Sequence, residues 1–277
     1  EYAAHHAQTK GGITDIDKLI GTMMQKYETS ITGYNDTMSF TYMSKHVLEE
    51  KIHLQYSNVY EKGAVIGMCL DILLRHYSDG KYGTQDLMKD LATKYGKNKS
   101  FNDEDLFNDI EKFTYPQIGE FLRKHVAGTT PLPMKDVLEK IGIDFSKELV
   151  SYEFSLGSTD LNFNEKTNRL YVAGVDEMDS FGKEMGFKMN DELNKLNGVE
   201  LKMSNIKETI TNYYETVKEG DKVTIEIYRP KGKGDKYKVK TLTAVAKKIK
   251  IVRKNQISLK EPLTEKQKQT LRAWVGL

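Results

Sequence analysis

The sequence predicts an α+β chain: an all-helical lobe followed by a small strand-rich domain that carries one or two helices. Three observations predict it. Ile16, Leu19, Ile20, Met23, Met24 and Tyr27 recur at the spacing of one helical face. Val223, Ile225 and Ile227 alternate with Thr224, Glu226 and Tyr228, the period of a half-buried strand. The change of period falls near Leu149, so the two kinds of element are segregated along the chain rather than alternating. The expected division is a helical lobe over residues 1–140, a strand-rich domain over 141–250 and a tail with a helix over 251–277.

The elements follow in order. Thr14 with Asp17 resembles a capping box at the start of the first periodic run. Val59 to Arg75 is apolar almost all round, the pattern of a buried core helix. Leu87, Leu91 and Tyr95 predict a further helix. Phe101 to Leu106 predicts a helix start with Asn102 as cap, Asp105 as its partner, and Phe101 with Leu106 as a hydrophobic staple. Another helix, about 117–126, ends at Ala127-Gly128 before the stop signal Thr129-Thr130-Pro131-Leu132-Pro133. Beyond it, Arg169 to Val175 and Tyr237 to Val245 read as strands, and Ile206 to Val217 as one amphipathic helix. The Lys-Gly-Lys-Gly run at 231–234 reads as a solvated hairpin turn, not a nucleic-acid contact.

Bulk properties exclude several classes. Of the 277 residues, 38% are hydrophobic and 10% aromatic, enough for a packed core and for about two domains. The 42 basic and 40 acidic residues leave a net charge of +2, which supplies no broad drive toward nucleic acid or an anionic membrane. Cys69 is the sole cysteine, so no intrachain disulfide exists; inside an apolar helix it reads as a packing residue. The longest apolar run, Ala64 to Leu74, is too short to span a bilayer and contains Asp71. The chain opens at Glu1 in mid-pattern, and is expected to be a piece of a longer protein. It carries no phosphate loop, Gly-rich dinucleotide turn or Gly-x-Ser-x-Gly elbow.

Two blocks resemble one known family. Val59-Tyr60-Glu61-Lys62-Gly63-Ala64-Val65-Ile66-Gly67, followed by Leu70 to Arg75, resembles the Tyr-x-Lys-Gly-Ala helix of the glycyl-aminopeptidase-like zinc metallopeptidases of the gluzincin clan. Leu87-Met88, Tyr95-Gly96, Phe101, Asp105-Leu106, Phe121, Val126 to Thr129 and Leu132-Pro133 follow in the family's order. Met189 to Val199, with Asp191-Glu192-Leu193 and Asn197-Gly198, resembles the PDZ signature Gly-Asp-x-Ile/Leu-x-x-Asn-Gly, with Asn190 replacing its first glycine. Gln269 to Trp274 is similar to the family's terminal helix.

The resemblance implies a zinc-dependent, bacterial aminopeptidase acting on peptides with small N-terminal residues such as Gly or Ala. The 1–140 lobe would be the C-terminal part of a thermolysin-like catalytic domain, and the second domain a PDZ-like β-sandwich or barrel. The family's His-Glu-x-x-His motif is absent; His46 and His53 lie seven apart, not four, and read as solvated. The third ligand, a glutamate, is expected just before residue 1, with Glu1 itself as ligand in the alternative register. His5 and His6 read, without the resemblance, as surface residues. Zinc is therefore expected in the longer protein and not in this chain, whose expected partners are a peptide or protein substrate and the missing N-terminal part.

The resemblance implies that Tyr60 is the catalytic candidate, as donor to the oxyanion of the tetrahedral intermediate, a role worth roughly 3 kcal/mol; from the residues alone it reads as a core aromatic at a helix entry. Asp160, Leu161, Asn162 and Phe163 are the best match to the PDZ family's carboxylate-capturing Gly-Leu-Gly-Phe loop; both glycines are replaced, and Asp160 is expected to repel a carboxylate, which leaves a docking or substrate-gating role against the helical lobe equally open and Leu161 and Phe163 readable as core. A non-catalytic peptide-binding scaffold with a degenerate peptidase lobe is the competing reading. No compartment follows from the residues; export in a Gram-negative bacterium is what related proteins imply.

Overall fold

The computed structural model describes residues 1–97, 99–232 and 236–276. It divides into two compact units: Glu1–Glu148 with Lys254–Leu277, and Leu149–Arg253.

Unit 1 is built on helices α1 (Tyr2–Lys10), α2 (Ile16–Gly33), α3 (Phe40–Lys45), α4 (Glu50–His53), α5 (Asn58–Tyr77), α6 (Thr84–Tyr95), α7 (Leu106–Phe113), α8 (Pro116–Leu122) and α9 (Met134–Glu139). A π-helical turn, Arg123–Ala127, continues α8 to the expected stop at Gly128. Helix α5 is the centre. Val65, Met68, Cys69, Ile72 and Leu74 are buried in it, and Leu19, Met23 and Tyr27 of α2 pack into the same core. Two start signals differ from expectation. Asp15, not Thr14, caps α2, its carboxylate accepting from Lys18 N at 2.7 Å; Thr14 is spent on the Thr9 hydroxyl at 3.1 Å. Asn102 closes a local turn instead of capping, Oδ1 accepting from Glu104 N at 3.2 Å, and α7 begins only at Leu106.

The chain leaves unit 1 along β1 (Ile143–Glu153). Unit 2 contains β2 (Asp160–Asn164), β3 (Arg169–Gly174), α10 (Ser180–Met185), β4 (Glu192–Leu196), β5 (Val199–Glu200), α11 (Ile206–Thr216), β6 (Lys222–Pro230) and β7 (Tyr237–Val245). The return path is β8 (Ile249–Leu259), which pairs with β1 in a two-stranded sheet, and the chain ends in α12 (Glu265–Val275). The main sheet runs β2-β3-β4-β6-β7, with β5 on β4, and its pairings are antiparallel. Val223, Ile225 and Ile227 face the core as their alternation predicts, joined there by Val172, Leu196, Phe181 and Tyr213. β6 and β7 pair from Lys222↔Val245 to Pro230↔Tyr237. The charged run between them lies in part, at 233–235, outside the described residues.

The segment 251–277 is not a free tail. Trp274 is fully buried in the unit 1 core, and α12 is locked there by polar contacts. Asp71, at 0% exposure in the middle of α5, accepts from the Tyr2 hydroxyl at 2.6 Å and from Thr84 N at 2.8 Å, with Arg75 Nε at 3.2 Å. Trp274 Nε1 donates to Tyr2 Oη at 2.8 Å, and Arg75 Nη1 donates to the Ala273 carbonyl at 2.8 Å. His6, read from sequence as a surface residue, is buried and hydrogen-bonded to the Trp274 carbonyl at 2.5 Å. Its neighbours gave no such signal, because the partner lies 268 positions away.

Burial holds the His6 imidazole below its ordinary 6.5, against the opposing pull of the Trp274 carbonyl and Asp71. The unfolded chain thus takes up a proton that the folded one refuses, so stability falls as pH drops below 6.5. His76, also held down by burial and by Lys140 and Lys266, acts in the same direction. His6→Gln keeps a donor for Trp274, and it is expected to flatten the acid loss of stability without abolishing it. Denaturant midpoints measured from neutral pH downward check this; an unaltered slope removes His6 as its source.

Candidate functional site

The two units present separate candidates. In unit 2, β2 is an edge strand: β3 covers one side, and its other edge has no partner strand among the described residues. Beside it lies a cleft of about 800 Å³ between β2 and α11. Its floor is apolar (Phe187, Leu193, Leu196 and Ile225), and Ile206, Ile210 and Tyr214 line it from α11. Ile206 and Ile210 reach the same wall because residues four apart share a helical face. That spacing was the available sequence signal, and it fixes an amphipathic helix without saying that the helix borders a groove.

One end of the cleft is formed by the segment that leads into β2, including Ser155, Leu156, Ser158 and Thr159. Asp179 anchors it from behind. The Ser155 and Ser158 hydroxyls both donate to the Asp179 carboxylate, the second at 2.8 Å, and the other carboxylate oxygen caps α10 by accepting from Gly182 N at 2.9 Å. Burial raises the Asp179 carboxyl, but these donors outweigh it and hold the group below the ordinary carboxylate range. Gly157 sits at φ +118° against Gly182, so close that a Cβ on Gly182 would lie 2.4 Å from the Gly157 carbonyl oxygen. Arg253 and the Ser151 hydroxyl hold the rim carboxylate Glu153 down to about 2, Arg253 gripping it with two nitrogens, one at 2.7 Å.

The four residues expected to bind peptide are not brought together on this cleft. Leu161, 44% exposed, lines it. Asp160 pairs with Gly174 of β3 and rests its carboxylate over that glycine, so it does not border the cleft as a repelling charge. Asn162 accepts from the Phe163 backbone N–H at 2.7 Å, and Phe163 lines a different cleft with Tyr171, Glu192 and Tyr237. The Asp160–Phe163 motif therefore begins after the turn; the cleft's end is built five residues earlier.

In unit 1, Tyr60 lies in the first turn of α5, 51% exposed, and its hydroxyl has no hydrogen-bond partner among the described residues. Lys26 draws this corner together: its ammonium reaches the Glu1 carboxylate at 2.6 Å, the Tyr60 carbonyl at 3.3 Å and Glu61 at 3.4 Å. Lys26 accordingly holds the exposed Glu1 carboxyl below its ordinary value. No group of three or more His, Cys, Asp or Glu side chains among the described residues is arranged to hold a metal ion, so no ligand set for zinc is assigned to them. His46 pairs with Glu49 at 2.7 Å. The Cys69 thiol is pushed up to about 12 by complete burial, which makes it inert.

Comparison with known proteins places one part of the chain. Residues 140–243 match the family model of the PDZ domain. No curated protein matches the chain. Among solved structures the chain is similar to an aminopeptidase N family protein from Idiomarina loihiensis, at 17% identity and a TM-score of 0.47, over 99% of this chain and 47% of that one. The chain thus spans about half the length of that structure, and a likeness of this order carries no functional argument.

Gly182→Ala is expected to push the Ser155–Thr159 segment off its seat at a cost of about 1–3 kcal/mol. Chemical denaturation of the variant checks this; native stability would show that the contact yields freely.

Proposed function

We propose that this chain is the C-terminal part of a zinc-dependent aminopeptidase removing small N-terminal residues such as Gly or Ala, and that its PDZ unit binds an extended peptide segment. The observation that carries the peptide-binding reading is the unpaired edge of β2 beside an apolar cleft. A peptide added there as a strand exchanges main-chain hydrogen bonds with β2, while alternate side chains enter the cleft against Leu161, Ile206 and Ile210.

The peptidase reading is supported by the ordered landmarks around Tyr60, and by its exposed hydroxyl at the start of the core helix. In that role Tyr60 donates to the developing oxyanion. Zinc, held by residues upstream of Glu1, would polarise the attacking water. This chain alone is expected to be inactive.

Two measurements test the proposal. In this chain, Ile210→Asp puts a charge on the cleft wall at a partly exposed site and is expected to abolish peptide binding in titration calorimetry while the fold survives; retained affinity would move the peptide elsewhere. In the longer protein, Tyr60→Phe is expected to lower kcat by about 100-fold with bound zinc unchanged. An unaltered kcat removes Tyr60 from catalysis, and a longer protein without zinc favours the scaffold reading.

A further inference from the structure

The cleft of unit 2 carries an unbalanced charge. Its charged lining residues are Glu153, Arg253 and Lys248. Glu153 and Arg253 satisfy each other in a two-pronged pair. Lys248, on the short connection between β7 and β8, makes no ion pair or hydrogen bond among the described residues; its ammonium lies 5.7 Å from the centre of the Phe154 ring. Phe154 leads directly into the segment that closes the cleft. An apolar trough beside an open strand edge thus ends on one uncompensated cation.

A free peptide C-terminus is captured best by several backbone amides converging on the carboxylate. Here one amide of the closing segment is engaged already. Gly157 N–H donates to the Ser155 hydroxyl at 2.8 Å. Lys248 adds a side-chain ammonium on a flexible stem, which accepts a carboxylate wherever along a peptide it occurs.

We infer that the cleft takes a peptide bearing an acidic side chain two positions from an apolar one, and that Lys248 is the residue that selects the acid. Residues two apart on an added strand point the same way, so the apolar side chain enters against Ile206 and Ile210 while the acid meets Lys248. The inference rests on the proposed binding of peptide at β2.

The test uses the full 277-residue chain and fluorescence anisotropy. The probe is a labelled, C-terminally amidated peptide, Ser-Asp-Ser-Leu-Ser-Asp-Ser, with acids on both sides of the leucine so that either strand direction presents one. The same peptide with Asn for Asp is expected to bind about fivefold more weakly, the weight of one solvent-edge ion pair. Lys248→Met is expected to erase that difference. Lys248→Glu is expected to reverse it in favour of a probe with Lys for Asp. The inference is overturned if the acidic and Asn probes bind alike, if Lys248→Met leaves the difference intact, or if Ser-Asn-Ser-Leu with a free carboxylate binds far better than the amidated acidic probe. If none of these peptides binds, or binding ignores Ile210→Asp, the cleft reading itself fails.

Discussion

A carboxylate with no access to water must find partners inside the protein, and Asp71 sets this requirement at the middle of the central helix of unit 1. Its contacts come from α1 through Tyr2, from the start of α6 through Thr84 N and from Arg75 one turn away. Tyr2 in turn receives Trp274 Nε1, and Arg75 holds the Ala273 carbonyl. Removing one member of such a set leaves a buried charge short of a partner, which costs far more than a surface hydrogen bond. The first and last helices of the chain are therefore not appendages. They complete the solvation shell of one buried acid.

That constraint has a topological consequence. Because α12 belongs to the unit 1 core, the chain must come back from unit 2 before it ends. Unit 2 is thus an insertion between Glu148 and Lys254, with β1 as the outgoing strand and β8 as the returning one. Its own core is independent, built from the alternating faces of β3, β4 and β6 and closed by Phe181 and Tyr213.

The cleft is likewise a product of topology acting on ordinary patterns. An apolar helix stripe, an edge strand and a glycine-tight turn carry no binding meaning separately. Packed together, they leave a trough whose main-chain edge and apolar floor suit an extended peptide, while the Asp179 hydrogen bonds hold its closing segment in one conformation.

Much of this architecture was legible in the residues. The period of α2, the all-round apolar run of α5, the alternation of β6, the amphipathic α11 and the PDZ-like Asp191–Gly198 block are local patterns, and local sterics and burial decide them. Legibility failed where a partner is distant or where two local signals compete. Thr14 and Asp15 both suit a cap; Asp15 wins because Thr14 meets Thr9. His6 and Trp274 look like exposed and terminal residues until folding buries them together. Asp160 reads as a charge poised in a ligand loop, yet strand pairing with Gly174 turns it away from the cleft. The sequence by itself determined the elements, their segregation into a helical and a strand-rich part, and the absence of a His-Glu-x-x-His motif in these residues. Only the tertiary structure decided which termini meet, which residues border the cleft and which of the cleft's two cations has no ion pair among the described residues. Those outcomes depend on contacts between positions far apart in the chain, and no local period encodes them.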